Sequence, residues 1–224
     1  MHMLTVSDRW LEEADGASVG LLCVVNVPNL PDHKALELAR KQLVQDLNVR
    51  YRALDRPSIR ELPVFSAYDT FYRSFRKTYH VQLQLESVVH QGKPIHSPSA
   101  LVGAMFMAEL KTGLLTAGHD LSALELPLTA DIARGEEVYQ RLDGSNQTLK
   151  AGDLYIRDQQ SVISSVIYGP DQRTRIQLDT DQVVFTTYGP PGITREQIRE
   201  ELKVLEGYVR CFAPHLERQS LEVS

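Results

Sequence analysis

Val162-Ile163-Ser164-Ser165-Val166-Ile167, then Tyr168-Gly169-Pro170, then Asp171-Gln172-Arg173-Thr174-Arg175, and finally Val183-Val184-Phe185: this stretch reads as two apolar strands joined by a Gly-Pro turn and a polar loop bearing arginines. Apolar runs on either side of a tight turn are a hairpin signal, so the second half of the chain is expected to be β structure. Arginine and threonine side chains with backbone N–H groups in one loop are donors that a phosphate or carboxylate takes. A solvated connection without a ligand fits the same composition.

On either side the pattern continues as short strands, Leu126 to Ile132, Val138 to Leu142, Leu154 to Arg157, Val162 to Ile167 and Val183 to Thr187. Turns at Arg134-Gly135, Asp143-Gly144, Ala151-Gly152-Asp153 and Gly169-Pro170 punctuate them. Their even spacing predicts a meandering sheet or partly open barrel. A helix over 194–211 closes the region. Thr194 and Gln197 form a capping box, Ile193 and Ile198 a hydrophobic staple, and Ile198, Leu202, Leu205 and Val209 a buried stripe.

Towards the N-terminus the period becomes helical. After a strand-like run from Val19 to Val27, Asp32 is placed to cap a helix with Leu36, Ala39, Leu43 and Leu47 on one face. Phe65, Tyr68, Tyr72, Phe75 and Tyr79, spaced by three, four, three and four, put five rings on one helix face. A core face is the economical reading, and a stacking platform for bases is the functional one. A partner-binding face is a third. Helical patterns follow over Val81 to His90 and from Ser97-Pro98-Ser99, with Pro98 in the first turn, Leu101, Met105 and Ala108 facing inward, and Gly113 at the end with positive φ. Leu114 to Ala117 then form a strand that delivers His119 and Asp120 to its exit. The class is therefore α+β: a helical N-terminal half packed on a partly open, barrel-like meandering sheet, with a C-terminal helix.

The formal charge is −5, yet residues 40–93 hold ten Lys/Arg against five Asp/Glu. A local basic surface is what contact with a polyanion requires, because phosphates are neutralised by a patch and not by the whole protein. Solvated helix faces account for the same count. The chain has no apolar run of membrane-spanning length and no apolar leader near Met1 to Trp10, so a cytoplasmic protein without membrane contact is expected. Cys23 and Cys211 are expected as free thiols. His90 and His96 lack zinc spacing, and Gly144 and Gly152 belong to no phosphate-cradling pattern, so neither metal nor cofactor is expected.

Four segments in order resemble the editing and tRNA-binding module of the phenylalanyl-tRNA synthetase beta chain, a module that also occurs free-standing. They are Leu114-to-Leu124 (LLTAGHDLSAL), Tyr139-to-Gly144 (YQRLDG), Leu149-to-Asp158 (LKAGDLYIRD), and Val162-to-Pro170 with the strand at Val183. The resemblance implies one α+β domain over residues 1–224, helix-rich over 28–112, strand-rich over 113–190, with the C-terminal helix over 194–211. It also implies a pocket that receives a mischarged amino acid on its tRNA for hydrolysis. The chain departs from the module's polar set: Ala117 stands at its histidine position, and Phe185 to Thr187 offer no carboxylate at its glutamate position.

On these grounds His119 and Asp120 are the catalytic candidates, a histidine beside a carboxylate at a strand exit titrating near neutrality. Ser164, Ser165, Tyr168, Gly169, Arg173 and Thr174 are the substrate-binding candidates. Arg50, Arg52, Arg56, Arg73, Arg76 and Lys77 are the RNA-binding candidates. The expected function is binding of aminoacyl-tRNA or its aminoacyl end, with hydrolysis of mischarged tRNA in trans; tRNA is the expected partner and DNA is not. The alternative is a non-catalytic pocket for a free amino acid or small carboxylate, with Arg173 pairing the carboxylate.

Overall fold

The computed structural model describes residues 2–224. Among them are seven α-helices, α1 (Asp8–Glu13), α2 (Lys34–Tyr51), α3 (Arg56–Glu61), α4 (Pro63–Ser74), α5 (His80–Gln91), α6 (Ala100–Thr112) and α7 (Arg195–Arg210). The strands are β1 (Leu4–Val6), β2 (Ser18–Val25), β3 (Leu115–Asp120), β4 (Leu128–Ile132), β5 (Val138–Gln140), β6 (Asn146–Thr148), β7 (Leu154–Arg157), β8 (Val162–Ser165), β9 (Gly169–Pro170), β10 (Gln182–Gly189) and β11 (Glu217–Val223). The α+β class and the C-terminal helix are as expected; a strand follows that helix, and no sheet closes into a barrel.

The strand half is not one meander. One sheet has the order β1-β4-β7-β8-β9, a second has β11-β2-β10-β3, and β5-β6 form a separate hairpin. The expected hairpin between residues 162–167 and 183–187 does not form. β8 turns through Tyr168 onto β9, whereas β10 crosses to the other sheet and pairs antiparallel with both β2 and β3. The reason is burial: β2 (SVGLLCVV) is covered on both faces and needs neighbours on both edges, which β10 and β11 supply. β3 and β9 are thereby left as edge strands of two different sheets, and His119 of β3 bridges Arg175 in the loop that follows β9.

The helices form because caps and apolar spacing agree. Thr194 and Gln197 close a reciprocal capping box on α7, with Ile193, Ile198, Leu202, Leu205 and Val209 buried. Gly113 ends α6 at φ +83, a left-handed cap that a side chain resists. Two local expectations shift. His33, not Asp32, caps α2, its Nδ1 accepting the Ala35 N–H at 3.3 Å; Pro98 lies just outside α6, whose cap is Ser99.

The aromatic stripe is core. Phe65, Tyr68, Tyr72, Phe75 and Tyr79 are all buried, which removes the base-stacking platform and the partner-binding face. They do not share one helix: α4 stops at Ser74, Arg76 takes φ +58, and Tyr79 caps α5. The reversal folds Tyr79 back onto Tyr68, rings stacked at 4.2 Å and 2°. Their hydroxyls are all engaged. Tyr68 donates to Tyr188 O and accepts from the Leu115 N–H at 2.9 Å; Tyr72 donates to Val166 O at 2.7 Å and Tyr79 to Gly113 O at 2.9 Å. These bonds tie the helical layer to β3, β10 and the turn after β8. Cys23 is a buried free thiol and Cys211 a partly buried one.

Candidate functional site

A cleft of about 840 Å³ opens where the edges of the two sheets approach under α5 and α6. Leu115 to Gly118 of β3 form one wall, and Ser165, Val166, Gly169 and Pro170 of the β8–β9 turn form the other. Val102, Met105, Phe106 and Glu109 of α6 roof it, with His80, Leu83 and Ser87 of α5. Arg175 and Leu142 stand at its exposed rim. Size and a mainly apolar lining with few polar groups are the properties of a small-ligand site. Gly118 keeps the wall thin, since a Cβ there would meet Ile176 Cδ1 at 2.6 Å and the Phe185 ring at 3.1 Å.

Two carboxyl groups are joined through Thr116: Glu109, which lines the cleft, and Glu201 of α7, which lies behind the lining. Glu109 Oε1 accepts the Thr116 N–H at 2.9 Å. Glu201 Oε1 accepts the Thr116 hydroxyl at 3.2 Å, and its Oε2 lies 2.5 Å from the Thr112 hydroxyl. Burial pushes Glu109 well above the usual carboxylate range and Glu201 up to about 7, so both hold protons readily. Neither was singled out by sequence. The readable signal was an acid inside an apolar helical face: Glu109 within AMFMAEL, and Glu201 between Ile198 and Leu202.

His80 stands at the mouth. Tyr72 has one hydroxyl proton and gives it to Val166 O, so the 3.2 Å contact between Tyr72 Oη and His80 Nδ1 carries the imidazole's own proton. The Nε2 lone pair of His80 is then free at the cleft. His80 is exposed at the mouth; desolvation of its inner side against Tyr72, followed by the nearby Lys77 ammonium, lowers its pKa from the ordinary value.

Of the residues expected to bind substrate, Ser165 and Gly169 line this cleft. Ser164 stands behind it, hydrogen-bonded to the Tyr188 hydroxyl. Tyr168 lies outside under the Lys77 ammonium, 4.3 Å from its ring centroid. His119, Asp120, Arg173 and Thr174 point elsewhere. His119 is fully buried; its Nδ1 lies 2.7 Å from Thr174 Oγ1, which donates onward to Asp171, and its Nε2 has no partner. Burial pushes its pKa to about 3, against the expected titration near neutrality. Asp120 accepts from the Ser122 N–H, the Ser122 hydroxyl and the Thr180 hydroxyl at 2.9, 2.6 and 2.6 Å. The Arg173 guanidinium is held by Asp158 at 2.7 Å and Ala123 O at 2.6 Å. These four knit the strand exits together, and His119, last but one in β3, is held outside the cleft by its bond to Thr174.

On the other flank of the first turn of α5 lies a hollow of about 320 Å³ lined by Arg56, Arg60, Asp69, Arg73, Arg76, Lys77, Thr78 and Gln82. Five cations face one carboxylate there. Arg73 pairs with Asp69 at 3.0 Å and Arg56 with Glu86 at 3.5 Å, while Arg76 forms no ion pair with a described residue. Arg50 and Arg52 are not part of the hollow: Arg50 sits 4.9 Å over the Tyr51 ring, and Arg52 contacts Asn48 at 3.3 Å. Among the described residues no group of three or more metal-ligating side chains converges, and no helix is long and apolar enough to cross a membrane.

No protein-family model matches the sequence, and no curated protein matches it. Among solved structures the chain is similar to an N-terminal fragment of the phenylalanyl-tRNA synthetase beta-subunit from Pyrococcus horikoshii, at 10% identity and a TM-score of 0.49. That distant likeness covers 99% of this chain and 50% of the fragment, so the chain spans about half the length of its structural neighbour.

Proposed function

We propose that the cleft receives the aminoacyl group of an aminoacyl-tRNA, that the basic hollow beside it takes RNA phosphates, and that the ester is hydrolysed there in trans. One observation carries the reading. Three of the four segments that resemble the editing module, through Leu115 to Gly118, Leu142, and Ser165, Val166, Gly169 and Pro170, converge on this single cleft although they are separated in sequence. His80 Nε2 is the group assigned to take a proton from the attacking water and return it to the departing ribose oxygen. The test is a salt-sensitive mobility shift with tRNA together with deacylation of mischarged tRNA. Loss of both removes the reading.

A second reading, a non-catalytic pocket for a free amino acid or small carboxylate, is favoured by the engagement of His119, Asp120 and Arg173 in structural bonds. Arg175 takes the place of Arg173 as the cation at the rim. Thermal-shift titration with free amino acids separates the two: stabilisation without RNA affinity or turnover selects the second.

A further inference from the structure

Glu109 has an acceptor that no residue uses. It sits on the buried face of α6 beside Met107 and Ala108, is 2% exposed, and lines the cleft. Its Oε1 is satisfied by the Thr116 N–H at 2.9 Å, while Oε2 accepts no hydrogen bond from a described residue and no ion pair reaches either oxygen. The buried tyrosine hydroxyls around it are committed elsewhere. The hydroxyl protons of Tyr68, Tyr72 and Tyr79 go to the carbonyls of Tyr188, Val166 and Gly113. Tyr188 is bonded to Ser164, and Glu201 faces Thr112 and Thr116. His80 is at the mouth, and the cation Arg175 is at the exposed rim. The side chain is almost wholly removed from solvent and borders the cleft, so a ligand entering there meets the one carboxyl oxygen that no residue engages.

We propose that Glu109 Oε2 is the docking point for a primary ammonium, so that the cleft selects molecules joining an apolar body to a protonated amine, with any carboxyl, ester or phosphate directed outward towards Arg175. This deepens the aminoacyl reading and rests on it, since an aminoacyl group carries such an ammonium. Burial pushes the Glu109 carboxyl well above the usual carboxylate range, the Thr116 N–H lowers it in part and the neighbouring Glu201 raises it further, so the protonated form is favoured before an ammonium arrives. An ammonium favours the ionised form. Binding therefore transfers the Glu109 proton to solvent and leaves the ammonium–carboxylate pair in its place.

The experiment uses the full chain and two stable probes, phenylalaninamide and its des-amino counterpart 3-phenylpropanamide, titrated calorimetrically near neutral pH in buffers of different ionisation enthalpy. The expected result is a preference of about tenfold to hundredfold for the amine probe, the worth of one hydrogen bond to a charged group, with proton release on binding. Glu109→Gln keeps the acceptor for the Thr116 N–H and removes the charge, and should abolish both. Proton release is read on the unaltered protein, so the test stands even where the variant folds poorly. Equal binding of the two probes, or a preference that survives in Glu109→Gln, overturns the ammonium site and leaves the aminoacyl cleft standing. Binding of neither probe overturns both.

Discussion

Replacing Glu201 by Gln should make the stability of this protein less dependent on pH. Glu201 is fully buried on α7, bonded to Thr112 and Thr116, and no cation pairs with it among the described residues. Burial raises its pKa from the ordinary 4.5 to about 7, more than its two hydroxyl partners lower it. Between those values the folded protein holds a proton that the unfolded chain releases. Stability from this group is therefore complete below about pH 4.5 and is lost as pH rises through about 7. The window spans about 2.5 pH units at about 1.36 kcal/mol each, or roughly 3 kcal/mol. For a chain of this length that is about 6–12 °C in Tm. Gln fits the same space: its amide nitrogen can donate to Thr112 Oγ1, which itself donates to Ala108 O at 3.1 Å. Urea unfolding of both proteins from pH 4.5 to 8 is the assay. The variant should gain about 3 kcal/mol on the wild type across that range, whereas parallel curves would refute a dry Glu201 without a cation partner.

Tyr68→Phe removes a hydroxyl that serves both Tyr188 O and the Leu115 N–H, leaving two buried groups unpaired; denaturant unfolding should show a loss of about 2–4 kcal/mol. Arg76→Asn keeps a residue type that tolerates positive φ and removes a cation without an ion-pair partner. If Arg76 touches a phosphate, the slope of log affinity for tRNA against log salt should flatten by about 0.7–0.9, and an unchanged slope excludes the contact. His80→Gln should lower deacylation of mischarged tRNA by about 10²–10⁴ with tRNA affinity kept; unaltered turnover would remove His80 as the base.

Features set by neighbouring residues were legible in the sequence. The capping box of Thr194 and Gln197, the buried stripe of α7 and the positive-φ end of α6 at Gly113 all depend on contacts within a few positions. Strand partnership was not, because it is decided by distant segments. β1 pairs parallel with β4 across more than a hundred residues, and β10 abandons its sequence neighbour for β2 and β3. β11 (ERQSLEV) is polar enough to read as a tail, yet it covers the outer edge of β2. The same limit applied to the site. Ser165 and Gly169 were visible from their turn, whereas the commitment of Arg173 to Asp158 and of His119 to Thr174 required tertiary structure. Glu109 was overlooked because a lone acid in an apolar helix gains meaning only when a cleft is found against it.

The central claim, that ligand enters between the edges of β3 and β9 beneath α5 and α6, is tested most directly by backbone amide chemical-shift mapping. The probe is a non-hydrolysable aminoacyl-adenosine amide titrated into the labelled protein. Saturable shifts concentrated at Leu115 to Gly118, Ser165 to Gly169 and the facing turns of α5 and α6 are predicted. Saturable shifts gathered around His119, Asp120 and Arg173 instead, or none at the cleft, would contradict the account.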